Sequence, residues 1–263
     1  MKLNIVPART GLLWVRQGIR TFWKQPLALS GLFFLFMAWV SLASIVPVVG
    51  NVIALVLLPA MTLGLMAATA EAEQGRFPMP GILLIAFRQG ADKSKAMLFL
   101  GVLYAVGFVG VMGLSVLIDG GLFAGVYLMG APINADKVNN PAFQNAMWVA
   151  MGLYIPLSMM FWHAPALLHW QAVPPVKSLF FSLVACWRNL GAFMVYTLSW
   201  FSVFLGAGVT LLLVISLMGE SDLAETVMMP LALLMAAMFF TSVFFSVRDS
   251  FEDVMPRQDP PAD

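Results

Sequence analysis

The chain of 263 residues is 61% apolar and 10% charged, with a net charge of +1 and a mean hydropathy of +0.90. Soluble domains hold about 45–50% apolar and about 25% charged residues, so this composition excludes a water-soluble globular fold and makes the bilayer the main solvent. A single cysteine, Cys186, excludes an intrachain disulfide and any cysteine-based metal cluster, and reads as a small buried hydrophobe.

Lys2, Arg9, Arg16, Arg20 and Lys24 precede the first long apolar run. That is too long a start for a signal peptide, so the first span is expected to be retained. Residues 9–24 place Leu12, Val15, Ile19 and Phe22 on one helical face. Arg9, Arg16, Arg20 and Lys24 form a stripe beside it, with Trp14 and Trp23 as amphipathic rings. The pattern predicts a helix lying in the membrane interface; the other reading is a helix packed on its own protein. Pro26, suited to a first helical turn, then directs the chain into the membrane.

Six apolar segments follow, at about residues 27–46, 52–70, 97–118, 146–169, 192–218 and 226–247. Each is near the roughly 20 residues that cross the hydrocarbon core. Residues 47–51 allow only a tight hairpin, and Pro59, Pro156 and Pro165 are expected to kink or interrupt their spans. Glu71 and Glu73 close the second span and are expected to pair with Arg76 or Arg88. A short helix is predicted over 79–89. Residues 119–145 form the longest connection and contain the apolar LFAGVYLMG, which either grazes the interface or folds back between helices. Residues 176–190 predict a third short helix with Lys177 and Arg188 on nearly one side. Its second stripe, Ser178, Ser182, Ala185 and Asn189, is expected to embed against the bundle. An acidic turn spans 219–225, and the tail 248–263 has too few apolar residues to fold.

Six spans put every Lys and Arg but Lys137 on one side, 13 of the 14. The positive-inside rule then predicts that both termini are cytoplasmic. All three short helices fall on that side, ending in Trp23-Lys24-Gln25, Phe87-Arg88-Gln89 and Trp187-Arg188-Asn189. Each leads into a pair of spans, which reads as three parallel copies of an interfacial helix plus a hairpin, unlike the inverted repeats of many transporters.

The stretches LNIVPARTGLLWVRQGIRTFWKQPLALSGLFFLF and PPVKSLFFSLVACWRNLGAFMVY resemble a family of uncharacterised inner-membrane proteins of beta-proteobacteria. That family is loosely similar to wider groups of bacterial membrane proteins built from interfacial helices and transmembrane hairpins. The resemblance implies six spans in a bacterial inner membrane and carries no catalytic residues or cofactor with it.

Chemistry-bearing residues are few. His163 and His169 are six apart, about 120° from a shared helical face, with Pro165 between them, and make a poor ligand pair. His163, at depth, is a possible cavity residue, although flanking Trp162 and Trp170 also suit a plain aromatic belt. No acidic residue lies inside a span, so proton-coupled transport lacks its usual carriers. Glycines in spans three and five suit close helix packing. No phosphate loop, serine-base set or zinc signature is present. No catalytic residue, metal site, cofactor or nucleic-acid partner is expected.

The expectation is an all-α polytopic membrane protein, one transmembrane domain over 1–247, with six spans in three hairpins and three cytoplasmic-side interfacial helices. Its expected role is non-enzymatic, membrane-organising or accessory, engaging anionic lipid headgroups or a partner membrane protein. The site residues are Arg16, Arg20, Trp23, Lys24, Arg88, Lys177, Trp187, Arg188 and Asn189. The alternatives are a transporter or channel for a small or amphipathic solute with His163 lining its cavity and, more weakly, a lipid-modifying enzyme using His163.

Overall fold

The computed structural model describes residues 2–46, 48–218 and 222–252. Pro47 in the first hairpin, residues 219–221 of the acidic turn and the tail from residue 253 lie outside the described residues. In chain order the elements are α1 (Thr10–Lys24), α2 (Pro26–Ser44), α3 (Val49–Glu73), a 3-10 helix (Pro80–Phe87), α4 (Ala91–Asp119), α5 (Leu122–Met129) and α6 (Ala135–Val138). They continue with α7 (Pro141–Trp162), α8 (Ala164–Gln171), α9 (Pro175–Arg188), α10 (Leu190–Met218) and α11 (Asp222–Ser250). The described residues contain no strand beyond an isolated antiparallel bridge, Leu3 to Phe251.

Six segments are long and apolar enough to cross a membrane: α2, α3, α4, α7 with α8, α10 and α11. The fold is therefore an all-α polytopic membrane protein. The three short helices expected at 9–24, 79–89 and 176–190 are present as α1, the 3-10 helix and α9. α3 continues through Pro59 and α7 through Pro156. The fourth span breaks at His163, two residues before Pro165. Pro165 has no N–H for the carbonyl of residue 161 and its ring clashes there, so the helix restarts with Pro165 in its first turn.

One transmembrane domain is expected over 1–247; within the described residues the contacts fall into two compact units. The first takes the described residues of Met1–Leu35, Thr62–Ile85 and Ala185–Asp263, and the second Phe36–Met61 and Ala86–Val184.

In the first unit α1 lies against α10 and α11. Two glycines seven residues apart allow this approach. A Cβ on Gly11 would stand 2.0 Å from the Ala192 carbonyl oxygen, and one on Gly18 would stand 2.3 Å from the Ser242 Cβ. The face that packs is Gly11, Trp14, Val15, Gly18, Thr21 and Phe22. The Trp14 indole N–H donates to Asp249 Oδ2 at 3.0 Å, and its ring meets Phe193 and Tyr196 at centroid separations of 5.3 and 5.9 Å. Ser242 lies 2.6 Å from the Tyr196 hydroxyl and accepts from the Trp200 indole at 3.1 Å. Trp14 is thus no interface ring, as its sequence pattern suggests, but a fully buried core residue. Val15 and Phe22 face the protein with it, while Leu12 turns outward. The glycines decide this, because a helix that can come within backbone contact of two others buries the face that carries them.

In the second unit α4 packs against α7 and α8. A Cβ on Gly101 would meet the Val56 carbonyl oxygen at 1.8 Å and one on Gly107 would meet Leu157 at 2.6 Å, so these are packing glycines. Gly110, Gly113, Gly206 and Gly208 meet nothing within 4 Å and are not seams. The connection 119–145, whose two readings the sequence leaves open, folds back onto protein. Asp119 accepts from the N–H groups of Gly121 and Phe123 at 2.8 and 2.6 Å, and the left-handed Gly120 and Gly121 reverse the chain into α5. Phe123 and Ala124 then join a core of Val111, Met112, Phe143, Ala146 and Ala150.

Candidate functional site

The amide that closes each of the three short helices bonds another stretch of chain, but only Asn189 is buried, Gln25 being half-buried and Gln89 exposed. The Gln25 side chain reaches the Gly75 carbonyl at 3.5 Å. Gln89 Nε2 lies 2.9 Å from His169 Nε2, and Gln89 Oε1 accepts from Lys93 at 2.7 Å. Asn189 accepts from the Val6 N–H at 2.8 Å and donates to the Asn4 carbonyl at 3.0 Å, clamping the N-terminal segment. Asn189 is 1% exposed. It is therefore a tether for residues 4–6 and is not placed to touch lipid.

The cations face outward. Arg16, Arg20, Arg88, Lys177 and Arg188 are all exposed, and no ion pair joins any of them to a described residue. Large apolar side chains are exposed beside them. On α1 these are Leu12, Leu13 and Trp23, the last 61% exposed; on α9 they are Val176, Phe180 and Trp187, the last 69% exposed. Leu84 is exposed on the 3-10 helix ahead of Arg88. The opposite stripe of α9, Ser178, Ser182, Ala185 and Asn189, is buried. Cys186 is also buried, and burial pushes its thiol up to about 12.

Lys24 differs from the other cations. Its ammonium lies 3.1 Å from Glu73 Oε2 and donates to the Glu73 backbone carbonyl, while the Thr21 hydroxyl donates to the same carboxylate. This cluster fastens the end of α1 to the end of α3, and Lys24 is held as a cross-link. Glu71 takes Arg76, whose guanidinium its carboxylate holds above the ordinary arginine value. Of the two expected acid–base partners, Arg76 is used by Glu71, and Glu73 uses Lys24, which no local spacing signals.

His163, the expected cavity residue, is fully buried at the break between α7 and α8. Its backbone N–H donates to Ser182 Oγ at 2.9 Å, the Ser182 hydroxyl donates to the Met159 carbonyl at 2.7 Å, and Nδ1 stands 3.4 Å from the same oxygen. The shorter contact orients the Ser182 hydroxyl toward the Met159 carbonyl, with the imidazole at the outer limit of a hydrogen bond. Ser182 caps the N–H exposed by the break, which accounts for a hydroxyl at this point of α9. His169 faces Gln89 in a separate contact, so the two histidines share no site.

Fold and surface together define a class: an integral membrane protein of six apolar helical segments with exposed, ion-pair-free cations on or beside three short helices. The chain is 42% identical over 254 residues to a "Probable inner membrane protein" of Burkholderia thailandensis, a match that covers 95% of this chain and 94% of that one. It belongs to that inner-membrane protein family. No family model matches the chain. No solved structure matches it either.

Proposed function

We propose that this integral inner-membrane protein is a non-enzymatic, membrane-organising protein that holds anionic lipid headgroups on its three short helices. The observation that carries the reading is the pairing of exposed, ion-pair-free Arg16, Arg20, Lys177 and Arg188 with exposed Leu13, Trp23, Phe180 and Trp187. Apolar side chains in the acyl region with cations at headgroup level are the signature of an interfacial helix, and each cation near an anionic leaflet contributes about 1 kcal/mol. The cation distribution favours the cytoplasmic leaflet, with both termini on that side. An aromatic, a cation and an amide close all three helices, and each amide bonds another stretch of chain, which supports reading the helices as copies of one unit.

The test is lipid co-purification. The protein extracted from a bacterial membrane is expected to retain phosphatidylglycerol or cardiolipin above their bulk share, by mass spectrometry, and to lose the enrichment as salt screens the cations. Retained lipid with bulk composition would contradict the reading. A partner membrane protein on the same helices would instead appear as a stoichiometric co-purifying chain.

A further inference from the structure

We infer that the second unit carries a separate lipid site, independent of the cationic helices, which takes one acyl chain of an anionic phospholipid beside α5. A cavity of about 440 Å³ lies between α5, α6 and the first turns of α7, walled by Phe123, Val126, Ile133, Phe143, Met147 and Trp148. At about 30 Å³ for a water-sized group, that is room for roughly 14 methylene-sized groups. It also falls within the range of ligand pockets, about 300–1,000 Å³.

Three features select the occupant. The lining is mainly apolar, its polar side-chain groups being those of Tyr127, Gln144 and Trp148. The Gln144 amide donates to the Val138 carbonyl at 2.8 Å, so hydrocarbon suits most of the space better than water. The walls belong to a span and to the helix folded against it, and hydrocarbon filling the space recovers dispersion contacts that its lining otherwise lacks. Tyr127 and Trp148, 58% and 63% exposed, stand at the lip as aromatic residues do at headgroup depth.

The headgroup charge follows from Lys137. Its ammonium is held at 2.8 Å by the Pro132 carbonyl, between the lining residues Ile133 and Val138 in sequence, and no ion pair joins it to the exposed Asp136. A tail moving from bilayer to cavity passes from one apolar medium to another, so selectivity rests on this cation.

The experiment uses the full chain in nanodiscs with phosphatidylglycerol carrying a diazirine on its acyl chain, followed by peptide mapping. Labelling is expected to concentrate several-fold on the stretch 123–148 over the exposed stretch 198–214. Val126→Trp, which fills the cavity, is expected to cut labelling at least fivefold, with Met147→Trp as a second filling variant should the first alter the elution profile. Lys137→Gln is expected to bring labelling down to that of a phosphatidylcholine probe. Equal labelling of both stretches, labelling unchanged in both filling variants, selectivity unchanged in Lys137→Gln, or labelling only by a diazirine fatty acid would each overturn the proposal.

Discussion

The α1 region of the first unit and the α5 region of the second each lay a short helix against longer ones, yet one closes completely and the other leaves open space. Along α1, Gly11 and Gly18 admit no Cβ, and Trp14, Thr21 and the Tyr196–Ser242–Trp200 cluster fill what remains. Around α5, only Phe123 and Ala124 are fully buried in the core, with Val126 and Leu128 half-buried against it, and cavities of about 440 and 500 Å³ share Tyr127. The second of these also touches Asn51, whose amide donates to the Leu128 carbonyl at 2.9 Å. Close approach of helices in a membrane needs small residues at the crossing, because apolar area alone gains little there. α1 has glycines in register on its packing face, whereas Gly120, Gly121 and Gly130 flanking α5 are spent on left-handed turns. A Cβ on Gly125 within α5 would meet only the Ala131 Cβ, at 3.9 Å.

The contrast can be broken most directly at Gly18. Gly18→Val drives a branched side chain into Ser242 and is expected to destabilise by about 3 kcal/mol or abolish the folded species, read by thermal unfolding in detergent. A variant as stable as the parent would show that α1 is not closed against α11. Trp14→Phe keeps most of the ring and removes the donor to Asp249, with an expected cost of about 2 kcal/mol. Asn189→Ala is expected to cost about 1–2 kcal/mol and to speed hydrogen exchange of the Val6 amide in particular; unchanged exchange there would remove the tether assigned to it. At the open region Val126→Leu is expected to shift stability by less than about 0.5 kcal/mol, because the added methylene enters existing space; a loss as large as at Gly18 would erase the comparison. The smallest effect belongs to Cys186, whose buried thiol is expected to resist iodoacetamide at pH 8 until the protein unfolds, with no change in stability.

Much of this architecture is legible in the residues. Span count follows from apolar runs near 20 residues, and the buried stripe of α9 follows from small and polar residues at helical spacing. What escapes is what long-range packing decides. The periodicity of α1 marks a two-faced helix but does not say whether lipid or protein covers the apolar face. The glycines at 11 and 18 were the available signal for protein. Lys24 reads as one of a stripe of like cations, and only the meeting of α1 with the end of α3 turns it toward Glu73. His163 reads as a polar residue at depth. What the sequence does not show is that Ser182, 19 residues away, accepts its backbone N–H at a break set by Pro165. The α5 cavity leaves no periodic trace, since a poorly filled region depends on three-dimensional fit. The exposed members of the expected site, Arg16, Arg20, Trp23, Arg88, Lys177, Trp187 and Arg188, are those whose position depends on local helix geometry alone.

The central claim is that the cations of α1 and α9 hold anionic headgroups. Its most direct measurement is the affinity of the purified protein for phosphatidylglycerol or cardiolipin, before and after joint reversal of Arg16, Arg20, Lys177 and Arg188 to Glu. With about 1 kcal/mol per cation, at least a hundredfold loss is expected at unchanged thermal stability, and little change for phosphatidylcholine. Anionic-lipid affinity unaltered by the four reversals would contradict the account.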